Sequence, residues 1–87
     1  MSIAYVLINT EIGGMEEVLR TLEKIPEVKE AHMFYGVYDI IAKIRAKTNE
    51  DLRDLVVKKI HLIPNIINSK LITVLKTCKE ELVKFPC

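Results

Sequence analysis

Glutamine and tryptophan are absent from this 87-residue chain, and cysteine, glycine and proline are scarce, with two, three and three copies. Each shortage excludes something. Two cysteines, Cys78 and Cys87, are too few for a disulfide scaffold, and they form neither a CxxC pair nor a Cys/His ligand spacing. They read as free thiols in a reducing compartment. Three glycines leave no P-loop and no GxGxxG; HExxH, a nucleophile elbow and a metal-ligand cluster are missing too, so no cofactor and no metal is expected. No apolar run reaches the ~18 residues of a membrane span, and Met1-Ser2 leads into a strand-like run without the basic region of a signal peptide. The expectation is a soluble, cytoplasmic protein. A net charge of +1, from 13 basic and 12 acidic residues interspersed along the chain, lacks the basic face of a nucleic-acid binder. The missing glutamine, with abundant Ile, Lys and Glu, resembles a thermophile composition.

What remains is 49% hydrophobic. Residues 1–87 read as a single domain with one small core. A chain of this size buries only about 60–65% of its unfolded surface, and oligomerisation is one usual supplement. Ile3 to Ile8 is apolar on both faces and reads as a buried strand. Gly13-Gly14 breaks it. Met15, Val18, Leu19, Leu22 and Ile25 then form one helical stripe, with Glu16 and Glu17 in the first turn and Pro26 as the stop. Val28–Tyr35 and Tyr38–Ala46 read as the second and third strands. Thr48 caps a second helix, about Asn49 to Leu62, whose stripe is Leu52, Leu55, Val56, the stem of Lys59, Ile60 and Ile63. After Pro64-Asn65, Ile66–Leu75 is the fourth strand, and Thr77–Cys87 a tail with room for one helical turn.

The order β-α-β-β-α-β with right-handed crossovers predicts a ferredoxin-like plait of the α+β class, a four-stranded antiparallel sheet with both helices on one face. Strands 1, 3 and 4 carry apolar residues on both faces, whereas a sheet facing water alternates apolar with polar. The open face therefore needs a cover. A second copy of the same sheet is the simplest, giving a two-fold homodimer, a dimeric α+β barrel.

The most informative stretch is Val28 to Lys47, which reads as a hairpin reversing at Tyr35-Gly36-Val37-Tyr38-Asp39. Gly36 gives a tight reversal its backbone freedom. Asp39, beside Tyr35 and Tyr38, offers a partly desolvated anion for an ammonium ligand, with backbone N–H groups near Gly36 for a carboxylate. Asp39 satisfying turn backbone is the other reading. His32 would be the general base of an enzyme, and Glu30 shares its face; an interface or solvent-facing histidine is the plainer account. His61 suits a helix C-terminus. Lys43, Arg45 and Lys47 lack the aromatic interleaving of a nucleic-acid surface. Gly13-Gly14 precedes a helix, but Glu16 and Glu17 would repel an anion there.

His32-x-x-x-Gly36-x-Tyr38-Asp39, then Leu62-Ile63-Pro64-Asn65-Ile66 and a strand ending Val74-Leu75-x-x-x-Lys79, resembles the C-terminal RAM domain of Lrp/AsnC (leucine-responsive) transcription regulators over about residues 3 to 79. The resemblance implies a non-enzymatic effector domain without a DNA-binding helix-turn-helix and with no direct contact to nucleic acid. It implies sheet-to-sheet dimers assembling into octamers or decamers, a small amino-acid effector at the contact between dimers, and mixed assemblies with full-length Lrp/AsnC regulators. The implied ligand-binding positions are Tyr35, Gly36, Tyr38 and Asp39, with Ile67, Asn68 and Ser69 as a second set. Two positions depart from the family pattern: Pro64-Asn65 replaces Pro-Gly, which Asn survives by tolerating left-handed backbone, and Ser69-x-Leu71 keeps one hydroxyl of Thr-x-Thr. Two rival readings stand beside it: a ligand-free oligomerisation module, and a small dimeric α+β barrel enzyme using His32.

Overall fold

The computed structural model describes residues 1–78. Its elements are β1 (Ser2–Thr10), α1 (Met15–Glu23), β2 (Val28–Met33), β3 (Ile40–Ala46), α2 (Asn49–Leu55), a π turn continuing α2 (Val56–Ile60) and β4 (Ile66–Thr73). The four strands form one sheet in the order β2-β3-β1-β4, and every neighbouring pair is antiparallel. This is the expected α+β plait. β1 takes a central place because β3 pairs along one of its edges and β4 along the other.

Alternation assigns the faces. Ala4, Val6 and Ile8 of β1 and Ile40, Ala42 and Ile44 of β3 are fully buried. Val18 and Leu22 of α1 meet them, with Leu52, Leu55, Val56, Ile60 and Ile63 from the second helical segment. The stripes at spacings of three and four are thus the faces that make the core, except at Lys59, expected to bury its stem, whose side chain is 54% exposed where the helix has widened. Thr48 caps α2 as its spacing suggests, its Oγ1 accepting from the Asp51 N–H at 3.1 Å.

Several boundaries differ from expectation. α1 ends at Glu23 rather than Ile25, and Lys24 and Ile25 donate to Thr21 and Leu22 carbonyls in a tightened last turn. The second helix does not stay α-helical to Leu62: from Val56 it widens, and His61 N–H donates to the Val56 carbonyl at 2.7 Å. β2 stops at Met33 and β3 starts at Ile40, so the tight hairpin is instead a loop from Phe34 to Asp39. β4 ends at Thr73. Cys78 is disulfide-bonded rather than a free thiol. Pairing depends on Cα approach, which sequence spacing does not display. Cys87 and most of the expected tail turn lie outside the described residues.

The open face is apolar over a narrower band than the sequence suggests. Ile3, Tyr5 and Leu7 of β1 alternate with the core residues, and Ile41 stands opposite Leu7. On β4 the positions opposite Tyr5, Leu7 and Asn9 are Ile72, Lys70 and Asn68, so only one is apolar. Lys43, Arg45, Glu30 and His32 complete a polar border along β3 and β2.

Candidate functional site

Asp39 ends the loop before β3 and is tied into the sheet from three directions. Its own N–H donates to the Ile8 carbonyl at 2.9 Å, and its carbonyl accepts from the Phe34 N–H at 2.8 Å. Its side-chain Oδ2 accepts from the Thr10 N–H at 2.8 Å, with the Thr10 hydroxyl 3.5 Å away. The β1–β3 ladder ends at Ile8↔Ile40, so β1 has run past its partner and the Thr10 N–H needs an acceptor. The Asp39 carboxylate supplies it. This is the backbone-satisfying reading of Asp39: one oxygen serves the Thr10 N–H, and the other accepts no hydrogen bond among the described residues.

The other loop positions are arranged differently. Tyr35 is fully exposed, and it joins Met33 and Phe34 of β2 and its exit with Gly13, Met15 and Glu16 around an open cleft of about 460 Å³. Tyr38 is half-buried. Gly36 does not have a left-handed backbone, which among the glycines only Gly13 adopts, and a Cβ at Gly36 would meet nothing within 4 Å. The expected need for glycine in a tight reversal therefore does not hold: the loop from Phe34 to Asp39 is long enough to turn without it.

Ile67, Asn68 and Ser69 open β4 on the far side of β1 from Asp39. Asn68 stands opposite Asn9 on the open face, while Ser69 stands opposite Ile8 on the helix side, its Oγ 3.4 Å from His61 Nδ1. Ile67 is exposed. The two predicted sets thus share one end of the sheet but are parted by β1, roughly 10 Å at two strand spacings. Thr10 links them. Its N–H binds Asp39, and it pairs with Ile66 across the irregularity between Asn9 and Thr10. It is also the one buried polar residue among the described residues. Sequence reading missed it, although a signal was present: Thr10 continues the core-facing alternation of Ala4, Val6 and Ile8.

His32 lies on the outer face of β2, its Nε2 3.2 Å from Glu30 Oε1, with Lys43 Nζ 3.8 Å from the other Glu30 oxygen. The space between sheet and helices is filled by the core rather than by a pocket reaching His32. Among the described residues no cluster of His, Cys, Asp or Glu is placed to hold a metal, and no helix is long and apolar enough to cross a membrane.

Asn65 closes the same end of the molecule. Its φ of 76° is left-handed, as expected for the position where the family pattern has Gly. Its carbonyl accepts from the Glu11 N–H at 2.7 Å and its Nδ2 donates to Glu17 at 3.2 Å.

A protein-family model described as the Lrp/AsnC ligand binding domain matches residues 3–83. The HTH-type transcriptional regulator FL11 of Pyrococcus horikoshii is 36% identical over 78 residues, 90% of this chain and 51% of the relative. The chain thus spans about half the length of the curated relatives it matches. Among solved structures, FFRP-DM1 superimposes with a TM-score of 0.82 at 36% identity, covering 86% of this chain and 100% of its own. The hypothetical protein PHS023 from Pyrococcus horikoshii gives 0.81 at 35%, covering 88% and 93%.

Proposed function

We propose, because this chain belongs to the Lrp/AsnC ligand-binding-domain family, that it is a non-enzymatic domain that binds a small amino-acid effector and forms homo-oligomers. Its relatives are named transcriptional regulators, which gives the domain a regulatory role. The observation that carries the effector reading is the Asp39 carboxylate, held by the Thr10 N–H through Oδ2 at 2.8 Å. The other oxygen remains to accept from an ammonium group. A charged hydrogen bond of that kind is among the stronger polar contacts.

Dimerisation is supported by the band of Ile3, Tyr5, Leu7, Ile41 and Ile72 on the open face. A second apolar group at the hairpin end, with Ile12, Tyr35 and Val37 exposed beside Met33 and Phe34, supports contact between dimers, as in an octamer or decamer. An effector held at such a contact would favour the assembled form by linkage. Full-length regulators, whose matching half is similar in sequence to this chain, are proposed as partners.

Light scattering of the purified chain with each of the twenty amino acids tests this. An assembly larger than a dimer whose size or melting temperature responds to one or two amino acids supports it. A dimer indifferent to all of them supports the second reading, favoured by the Thr10 contact itself: Asp39 only ties the loop to β1, and the domain is a ligand-free oligomerisation module.

A further inference from the structure

The geometry points to Thr10 as the residue that positions Asp39 for the effector, its hydroxyl setting the affinity of the site without touching the ligand. This role rests on the effector reading given above. Asp39 has a use for such a partner. Its backbone is fixed on both sides, the N–H donating to the Ile8 carbonyl at 2.9 Å and the carbonyl accepting from the Phe34 N–H at 2.8 Å. What remains free is the side chain, whose torsions decide where the carboxylate is aimed.

Two donors of Thr10 limit that freedom. The N–H lies 2.8 Å and the Oγ1 3.5 Å from the same oxygen, Asp39 Oδ2. A carboxylate held by one donor swings about it, and a second donor on the same oxygen narrows the swing. The hydroxyl contact is long, but that hydroxyl makes no other hydrogen bond among the described residues, and Thr10 is only 7% exposed. A buried hydroxyl without an acceptor is costly, so the group stays with Asp39. Thr10 is itself a firm anchor. It continues the core-facing alternation of Ala4, Val6 and Ile8, it pairs with Ile66 of β4 on its other side, and a β-branched side chain is stiff at χ1.

The same arrangement leaves the second oxygen to a ligand. Asp39 Oδ1 accepts no hydrogen bond among the described residues. Among those residues, Glu27 Oε1 is the one side-chain atom both shielded from solvent and without a partner, so Asp39 Oδ1 is reachable from solvent. Both Thr10 donors crowd onto Oδ2, and an incoming ammonium meets an acceptor that is aimed and unshared. A preset acceptor spares the complex the cost of ordering it.

Two pairs of proteins isolate the hydroxyl. The parent and Thr10→Val differ in it at nearly equal volume. Thr10→Ser and Thr10→Ala differ in it once the methyl group is gone, and this pair decides alone if Thr10→Val does not fold. Calorimetric titration of all four with each of the twenty amino acids, beside thermal melts of the unliganded chains, tests the role. Expected is a loss of affinity of about three- to tenfold from the parent to Thr10→Val, and the same from Thr10→Ser to Thr10→Ala. Melting temperature instead follows the buried methyl group, grouping the parent with Thr10→Val and Thr10→Ser with Thr10→Ala. Affinity that follows melting temperature, or that is equal within each pair, overturns the positioning role and leaves the effector reading standing. A parent that binds none of the amino acids overturns the effector reading, and the role of Thr10 falls with it.

Discussion

Gly14 and Asn65 occupy each other's space: a Cβ built on Gly14 would lie 2.7 Å from the Asn65 Cβ and 3.0 Å from its Cγ. The turn that opens α1 and the turn that opens β4 are packed backbone against side chain, so neither residue is chosen alone. Gly14→Ala forces one turn to move and is expected to lower stability by about 1–3 kcal/mol. Asn65→Gly removes the obstacle and relieves left-handed backbone at φ 76°, at the loss of one exposed hydrogen bond to Glu17; alone it changes stability by less than about 1 kcal/mol. In the double variant most of the Gly14→Ala cost disappears. Denaturant unfolding of all four proteins measures the coupling, and additive effects would show that the two turns adjust independently.

Asp39 can be divided into its two duties by choosing the substitution. Asp39→Asn keeps an acceptor for the Thr10 N–H, whereas Asp39→Ala leaves that donor without one. Thermal melts should place Asn near the parent and Ala about 1–2 kcal/mol lower. Calorimetric titration with the responsive amino acid should find binding lost in both, because each lacks the charge. Retained affinity in Asp39→Asn would remove the ammonium role.

The open sheet face predicts an assembly defect without a folding defect. Leu7→Asp sets a carboxylate in the middle of the apolar band while leaving the buried neighbours Val6 and Ile8 in place. Expected is a folded monomer by sedimentation with unchanged secondary structure by circular dichroism. A dimer that persists in Leu7→Asp would move the interface elsewhere.

Thr48→Ala deletes the hydroxyl that accepts from the Asp51 N–H. The expected cost is about 1 kcal/mol in denaturant unfolding. An unchanged midpoint would mean that water replaces the cap freely.

The plait was legible because its cues are local and repeated. The 3.6-residue stripe of Val18 and Leu22 and the two-residue alternation of Ile40, Ala42 and Ile44 each report one face of one element, and burial agrees with both. Asn65 was legible for the same reason, since left-handed backbone is a property of residue type. Thr10 was not. Its role arises from a contact with Asp39, 29 positions away, made where one ladder ends and another continues. The loop was misjudged in the other direction: glycine at position 36 suggested a tight turn, but loop length had already removed the need for one. Helix widening at Val56 left no mark in the hydrophobic stripe, because Val56 and Ile60 are buried along it all the same.

The central place of β1 has a consequence for how the domain comes into being. The first strand of this sheet to be synthesised is the one that needs both β3 and β4, and β4 begins only at Ile66. Until then, one edge of an apolar strand has no partner, and unpaired edges of that kind seed aggregation. Sheet closure must therefore wait until β4 has been made, a long-range step of the sort that slows folding. Fragments ending before Ile66 should collect in inclusion bodies rather than behave as smaller stable domains.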